Sequence, residues 1–307
     1  MRNPQLNRQG ALNHLLTTEG LPPRILNRLL DLAQHYLLDS AESVNVDASL
    51  SGRRVFSLFF EKSLSTRPSF ETAAKRLSAD VVRVQIENAV LKTGDDLVEI
   101  IRNLQAAPGD LLVLRHPQSG APYLVTQTLA PYLHVINAGD GTHAHPTQAL
   151  ANVYAIRHFK NDLSNLTVAI VADVMHSREA RSTIHALTSL GVAEVRVIGP
   201  LSLMPKGLEQ MGVRVFTQMC DGLRDADVVI ALPLQNERLP VSLRLSAQDY
   251  AEREGIKMET LAYAKSDCLL LQAELAGQTL RVGTLNWAEV GIAVRAAALS
   301  MVAEAQP

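Results

Sequence analysis

The amino-acid sequence predicts an α/β protein with two doubly wound parallel-sheet domains joined by interdomain helices. Three observations support this prediction. The chain has 307 residues, about twice the usual length of one domain. Apolar, strand-like runs alternate with helical patterns, which is typical of a parallel sheet with crossover helices. The alternation begins anew near residues 145–150, where we expect the second domain to start.

The pattern of the first half of the chain predicts a parallel sheet with crossover helices. Residues 1–50 are predicted to be mostly helical, because Pro22-Pro23 opens a stretch with an apolar stripe at helical spacing. Predicted strands follow at 55–60, 81–86, 111–114 and 135–141, with helices at 71–77 and 97–104 and a polar loop at 92–96.

The second half repeats the pattern. A long helix opens at His145 and is predicted to run to about His158. The elements predicted after it are strands at 166–174, 195–198, 213–216 and 228–232 and helices at 177–190 and 290–303. We therefore predict one domain over 1–147 and a second, Rossmann-like domain over 148–289. The C-terminal helix, 290–304, is expected to pack back on the first domain.

Composition narrows the classes of function. The net charge is −2 and aromatic residues make up 4%, which disfavours nucleic acid as a partner. The sequence has no apolar run long enough for a bilayer and no signal-peptide core at its N-terminus, so no membrane partner is expected. Cys220 and Cys268 are far apart and lack metal-ligand spacing, so we expect a reduced, cytoplasmic protein.

A hydroxyl-rich loop stands between the first predicted strand and its helix. Ser63, Ser65, Thr66 and Arg67 fall within five residues. The free N–H groups at a helix start bind anions, phosphate above all. Serine and threonine are also favoured there as plain helix caps. The sequence leaves both interpretations open.

Other polar segments follow predicted strands. Arg115 and His116 end the third strand, and an arginine fork binds phosphate or carboxylate, although a surface salt bridge is the alternative. Ser177 and Arg178 open a helix after a strand. His143 and His145 lack a third metal ligand at a recognisable spacing. The glycines of a dinucleotide-binding loop are absent after the strand at 166–174. We expect neither metal nor cofactor.

Five segments, in order, resemble the catalytic chains of the aspartate carbamoyltransferase family, and the likeness covers nearly the whole chain. They are Phe59–Glu71, Arg115–Pro117, Gly139–Gly141 with His145–Gln148, His176–Arg178 and Leu234–Arg238. The resemblance implies one domain that binds carbamoyl phosphate, one that binds aspartate, and a homotrimer with active sites between subunits. It implies transfer of a carbamoyl group to the aspartate amine, a step toward pyrimidines, without metal or cofactor.

The resemblance also implies roles for individual residues. Carbamoyl phosphate would be bound by Ser63, Ser65, Thr66, Arg115, His145 and Gln148. Among these, Thr66, Arg115 and His145 match the family's catalytic positions. On the aspartate side the matching residues are Arg178 and Gln235.

Four positions depart from the family pattern. Ser65 replaces the central arginine of the phosphate loop, and Thr93 replaces a lysine that contacts both substrates, with Lys92 beside it. Pro233 replaces an arginine that binds aspartate, and Gln272–Leu275 aligns with a His-Pro-Gly-Pro loop. A charged hydrogen bond contributes roughly 1.5–3 kcal/mol. Losing two arginines and a lysine is therefore expected to cost on the order of four to six powers of ten in rate.

The sequence favours a carbamoyltransferase-fold protein with weak or no carbamoyl transfer. Such a chain would act as a structural or regulatory subunit, as a homotrimer or in a mixed assembly with a catalytic paralogue or another pyrimidine-pathway enzyme. One alternative is an active transferase, on aspartate or another amine, whose rearranged site uses the retained residues. Another is an anion-binding module that uses Arg115 and Arg178 without chemistry.

Overall fold

The computed structural model describes residues 3–42, 47–85, 94–105, 110–128, 133–171, 173–232, 256–271, 273–275, 278–280 and 285–304. Strands and helices alternate along both halves, and the predicted α/β fold class is confirmed. The first-half elements are α1 (Pro23–Glu42), β1 (Arg54–Phe59), α2 (Thr66–Arg76), β2 (Asp80–Val84), α3 (Gly94–Gln105), β3 (Leu111–His116), α4 (Ala121–Thr128) and β4 (His134–Asp140).

The later elements begin with a helix that leaves the first sheet. They are α5 (Pro146–Lys160), β5 (Thr167–Val171), α6 (Arg178–Ser189), β6 (Glu194–Ile198), β7 (Arg214–Phe216), α7 (Met219–Leu223), β8 (Val228–Ala231), α8 (Met258–Leu261), β9 (Leu269–Leu271), β10 (Ala273–Leu275), β11 (Gln278–Leu280) and α9 (Trp287–Ala303).

The first sheet is parallel, in the order β2-β1-β3-β4. Its inner strands are apolar because helices cover both faces of a parallel sheet. All four residues from Leu111 to Leu114 have zero exposure. The side chains of Leu112 and Leu114 form a core with residues of β1, β4, α3 and α4. Helix α9 packs against α1 and α2.

Residues 3–21 are not helical, so the prediction of a mostly helical 1–50 is wrong for this segment. Leu15 lies beside Ile136 as a parallel bridge on the outer edge of β4. The N–H of Leu15 donates to Val135 O (2.9 Å), and the N–H of Asn137 donates to Leu15 O (2.8 Å). The edge of β4 gains partners for its backbone groups, which outweighs local helix propensity.

Local differences elsewhere have simple causes. Helix α3 begins at Gly94, inside the polar loop predicted for 92–96. Helix α4 was not predicted from the sequence; it is eight residues long, with Pro122 in its first turn, where proline is tolerated. Strand β9 was also missed, because three leucines are too short a run to separate strand from helix.

The second sheet has the parallel order β7-β6-β5-β8-β9. Its central strands β5 and β8 are apolar and buried. At the amino end of β8, Asp227 accepts hydrogen bonds from Thr167 N (2.9 Å) and Lys265 Nζ (2.6 Å). These contacts give Asp227 a structural role at this end of the sheet.

Packing divides the chain into two compact units. The division lies within α5, between Ala151 and Asn152, about one turn beyond the predicted boundary, and the segment from Asn286 belongs to the first unit. Among the described helices, none has the length and apolar character needed to cross a membrane.

Candidate functional site

The first unit has a topological switch point between β1 and β3. From β1 the chain crosses through α2 to β2 on one side, and β3 lies on the other side of β1. Ligands of open α/β sheets bind at such a point, beyond the carboxyl ends of the strands. The residues there are Phe60 and Glu61 after β1, and Arg115 and His116 at the end of β3.

The hydroxyl loop after β1 opens α2. The N–H of Thr66 donates to Ser63 Oγ (3.2 Å), and Ser69 Oγ donates to Thr66 O (2.8 Å). Ser65 occupies the N-cap position but its side chain makes no capping hydrogen bond. Ser63 therefore caps the helix. Ser65 is exposed, whereas Thr66 is buried.

Arg67 is directed back toward β1. Its Nη2 donates to Phe59 O (3.2 Å), and its guanidinium carbon lies 4.9 Å from the centre of the Phe59 ring. Its Nε is buried without a hydrogen-bond partner among the described residues. The guanidinium of Arg67, which is the cation nearest to Ser65 along α2, thus contacts the end of β1.

Arg115 bridges the switch point. Its Nε donates to Glu61 Oε2 (2.9 Å), and its Nη1 lies 3.5 Å from Ala138 O on β4. Both side chains of the pair are mostly buried, with 15% of Arg115 and 25% of Glu61 exposed. The salt bridge considered for Arg115 is therefore present, and it lies inside the expected anion site rather than on open surface. Glu61 was not among the predicted site residues, although its place directly after a buried strand is a usable signal.

His116 is held as a neutral imidazole. Its Nδ1 accepts a hydrogen bond from Gln118 N (3.0 Å), and its ring meets Phe60 edge-on at 4.6 Å between centroids. Burial lowers the pKa of His116, against smaller opposing effects of Gln118, Glu61 and Asp140. With Nδ1 as acceptor, the neutral ring carries its proton on Nε2.

His145 and Gln148 lie at the start of α5. His145 is buried and immediately precedes the helix, and its carbonyl accepts from Gln148 N and Ala149 N, both at 3.2 Å. Gln148 is half-buried. The carboxyl ends of the parallel strands β1, β3 and β4 meet at one edge of the sheet. Ser63, Ser65, Thr66, Arg115, His145 and Gln148 all follow or end these strands.

The second unit has its own switch point, between β5 and β8. After β5, Asp173 is fully buried and accepts from the Nδ1 of His176 at 2.9 Å. Ser177 Oγ caps α6 by accepting from Ala180 N (3.1 Å). Arg178 is the first residue of α6 and is buried. Asp173 and His176 were not predicted as site residues.

Several predicted positions lie outside the described residues: Lys92, Thr93, Pro233, Gln235 and Gln272. Directly after the last of these, Ala273–Leu275 forms β10, which pairs antiparallel with Gln278–Leu280. The backbone at 273–275 is therefore strand, where the aligned family segment is a proline-rich loop.

Within the described ranges, no group of three or more His, Cys, Asp or Glu side chains is arranged to hold a metal ion. His143, considered with His145 as a metal ligand, places its Nδ1 3.0 Å from Asp140 Oδ2. Burial raises the pKa of the Cys268 thiol to about 11, so this cysteine is a poor nucleophile and metal ligand at neutral pH.

Comparisons with known proteins agree with this fold. Residues 13–158 match the family model described as the carbamoyl-phosphate-binding domain of aspartate/ornithine carbamoyltransferase. Aspartate transcarbamoylase from Trypanosoma cruzi in complex with phosphate is 25% identical, with a TM-score of 0.79 over 98% of this chain and 99% of that one. The same enzyme in complex with carbamoyl phosphate and aspartate is 25% identical, with a TM-score of 0.78 over 94% and 96%.

The match extends through the domain that carries the hydroxyl loop, Arg115 and His145, and the structural likeness continues along nearly the whole chain. The two parallel-sheet units and the order of the motifs along them fit the same fold. The family match over residues 13–158 and the structural likeness of nearly the whole chain together support a member of the aspartate/ornithine carbamoyltransferase family.

Proposed function

We propose that this chain is an aspartate carbamoyltransferase homologue that keeps an anion site for a phosphate group in its first unit and has weak or no carbamoyl transfer. Its role is then that of a structural or regulatory subunit. The site lies at the switch point between β1 and β3, with the start of α2, Arg115, His145 and Gln148 as its binding residues. Trypanosoma aspartate transcarbamoylase has been solved with phosphate and with carbamoyl phosphate, which supports this class of ligand.

The observation that carries the proposal is that few cationic side chains near the start of α2 are available to bind an anion. Ser65, where the family has an arginine, offers only an exposed hydroxyl. Arg67 is bound to the carbonyl and ring of Phe59, and Arg115 is paired with Glu61. A phosphate would depend on helix N–H groups and a shared arginine, and each lost charged hydrogen bond weakens binding by roughly 1.5–3 kcal/mol.

Transfer chemistry needs more charge than simple binding does. Carbamoyl phosphate and aspartate bring several negative charges together, and Thr93, Pro233 and Gln272 add no cation where the family has lysine, arginine and histidine. Stabilisation of a developing charge depends on donors already in place. Loss at four separate motifs favours impaired catalysis over a single compensated change.

The direct test is formation of carbamoyl aspartate by the purified protein at saturating carbamoyl phosphate and aspartate. We expect no turnover above background, and gain of turnover in the variant that carries Ser65→Arg, Thr93→Lys, Pro233→Arg and Gln272→His. A turnover of the unmodified chain within about tenfold of an active family member would refute the proposal. The comparison enzyme is assayed in parallel as the positive control.

The second candidate is an active transferase with a rearranged site. The retained residues Thr66, Arg115, His145 and Gln148 favour it, because carbonyl and oxyanion stabilisation can survive loss of an aspartate contact. A panel of amine acceptors with carbamoyl phosphate distinguishes the two. Product with any acceptor, at a rate that His145→Ala abolishes, would establish this alternative.

Binding and assembly are measured separately from chemistry. Titration calorimetry with phosphate, carbamoyl phosphate and aspartate is expected to show heat for the two phosphate compounds. Heat with none of them would contradict the proposed anion site and would instead indicate a purely structural subunit. Native mass spectrometry, alone and with an active carbamoyltransferase chain, distinguishes the expected homotrimer from a mixed assembly.

A further inference from the structure

Asp140, the last residue of β4, has four hydrogen-bond donors around a carboxylate with zero exposure. Its Oδ1 accepts from Asn137 Nδ2 (2.7 Å) and Ala144 N (3.1 Å). Its Oδ2 accepts from Gly120 N (2.7 Å) and His143 Nδ1 (3.0 Å). A fully buried carboxylate requires such pairing, since an unpaired buried charge is strongly destabilising.

These donors belong to separate segments of the first unit. Gly120 ends the loop that follows Arg115 and His116, and Ala144 directly precedes His145. Asn137 also donates to Leu16 O at 2.8 Å, on the N-terminal segment. Asp140 therefore connects the loop after β3, the turn before α5 and the N-terminal segment.

Backbone contacts reinforce the same junction. The N–H of Gly141 donates to His116 O (3.0 Å), and Asp140 N donates to Ala144 O (3.0 Å). Gly141 has φ +43°, and a Cβ at this position would collide with Ser119. The loop and the turn thus pack with no room for a side chain between them.

We propose that Asp140 is a positioning residue of the first unit's anion site, which holds Arg115–His116 and His145 in one arrangement. The proposal rests on the phosphate site proposed above. Asp140 acts through these residues and does not itself contact the anion. An ionised carboxylate is required, because all four neighbours are donors and an amide would turn its NH₂ toward two of them.

The electrostatics of the site agree with an ionised group. Burial by itself raises the pKa of Asp140, but the hydrogen bond and charge of His143 and the donors Asn137 and Gly120 outweigh it. The net result is a lowered pKa. The carboxylate stays charged at neutral pH while it lies away from water.

The test compares Asp140→Asn with Asp227→Asn by titration calorimetry with inorganic phosphate. Asp227 is also buried and accepts from a backbone N–H and a cationic side chain, but it lies in the second unit. We expect phosphate affinity to fall about tenfold or more in Asp140→Asn, because a displaced site residue would lose one charged hydrogen bond to the anion. The affinity should stay unchanged in Asp227→Asn.

Imidazole ¹⁵N spectra provide a readout that general destabilisation would not move. In Asp140→Asn the signals of His116 and His145 are expected to shift. Those of His14 and His134 should not, because His134 starts β4 and lies about 20 Å from its carboxyl end. Equal shifts in all four, or in none, would overturn the positioning role.

If Asp140→Asn does not fold, His143→Leu and His143→Asn decide the question. The leucine removes the donor to Oδ2, whereas asparagine keeps a donor near the Nδ1 position. We expect about threefold weaker phosphate binding in the leucine variant and recovery in the asparagine variant. Equal binding in both overturns this inference alone, while absence of phosphate binding by the unmodified protein overturns the proposed function with it.

Discussion

At the residue scale, two arginines near the candidate anion site of the first unit contact neighbouring groups. Arg67 contacts the carbonyl and ring of Phe59, and Arg115 contacts Glu61. Ser65 stands between the cap residue Ser63 and the buried Thr66 with its side chain in solvent. The site consequently has a helix start and an arginine shared with a carboxylate, and it lacks a guanidinium at position 65.

Ser65→Arg is expected to tighten phosphate binding by about tenfold, because it adds one charged donor at the start of α2. The matched control is Leu64→Arg, which adds the same charge one residue earlier, where the side chain is 97% exposed. Titration calorimetry at low and high salt separates the two: a direct contact persists, whereas a long-range attraction is screened. Equal gains in both variants would contradict a specific role for position 65.

At the scale of elements, two helices follow strand ends and are capped by serines. The capping serine stands at a different position relative to the helix start in each. In α6 the cap residue Ser177 accepts from Ala180 N. In α2 the accepting serine is Ser63, two residues before the N-cap Ser65. A sequence pattern with several hydroxyl residues predicts a cap, but the backbone path of the loop decides which of them makes it.

Ser63→Ala is expected to destabilise the protein by about 1 kcal/mol, because Thr66 N loses its acceptor. Ser65→Ala should change stability by only a few tenths of a kcal/mol, since its hydroxyl makes no capping bond. Thermal unfolding of both variants checks this, with an expected shift of about 2–4 °C for the first. A larger loss in Ser65→Ala would contradict the observed cap.

At the scale of the whole molecule, contacts between residues that are far apart in sequence complete the first unit. The N-terminal segment lies along β4, and its His14 packs near His134 with 5.7 Å between ring centroids. His14 Nδ1 accepts from Val135 N at 2.9 Å. Burial, and secondarily His134, lower the pKa of His14 to about 4.

This pair makes stability depend on pH. The unfolded chain binds a proton at His14 below pH about 6.5, whereas the folded chain does not until about 4. The contribution of His14 to the free energy of unfolding is therefore fully present above pH 6.5. It is lost as the pH falls toward 4, by up to about 3 kcal/mol. The pKa of His134 is also lowered, chiefly by burial, and acts in the same direction.

Urea unfolding at a series of pH values checks the prediction. His14→Asn keeps an acceptor near Val135 N but cannot titrate, so its stability should fall less steeply between pH 6.5 and 4. An unchanged slope in this variant would show that other groups cause the acid sensitivity.

The sequence by itself determined the fold class, most strand positions and the family. Buried parallel strands are continuous apolar runs such as Leu111–Leu114, and helix starts are marked by local residues such as Ser177-Arg178, so both can be predicted from a short window. The hydroxyl loop and Arg115 could also be named as anion-binding candidates from their place at predicted strand ends, whereas His145 and Gln148 were named through the family resemblance. Their roles in binding and the two-domain assignment of ligands stay predictions.

Only the tertiary structure decided which groups meet. The pairing of Arg115 with Glu61, the four donors around Asp140 and the N-terminal segment on the edge of β4 all join residues from different elements. Such contacts depend on strand order and on the need to satisfy buried polar groups, which no local pattern encodes. Residues 13–16 follow the same rule: the edge of β4, which they pair with, governs their conformation more strongly than their own sequence does.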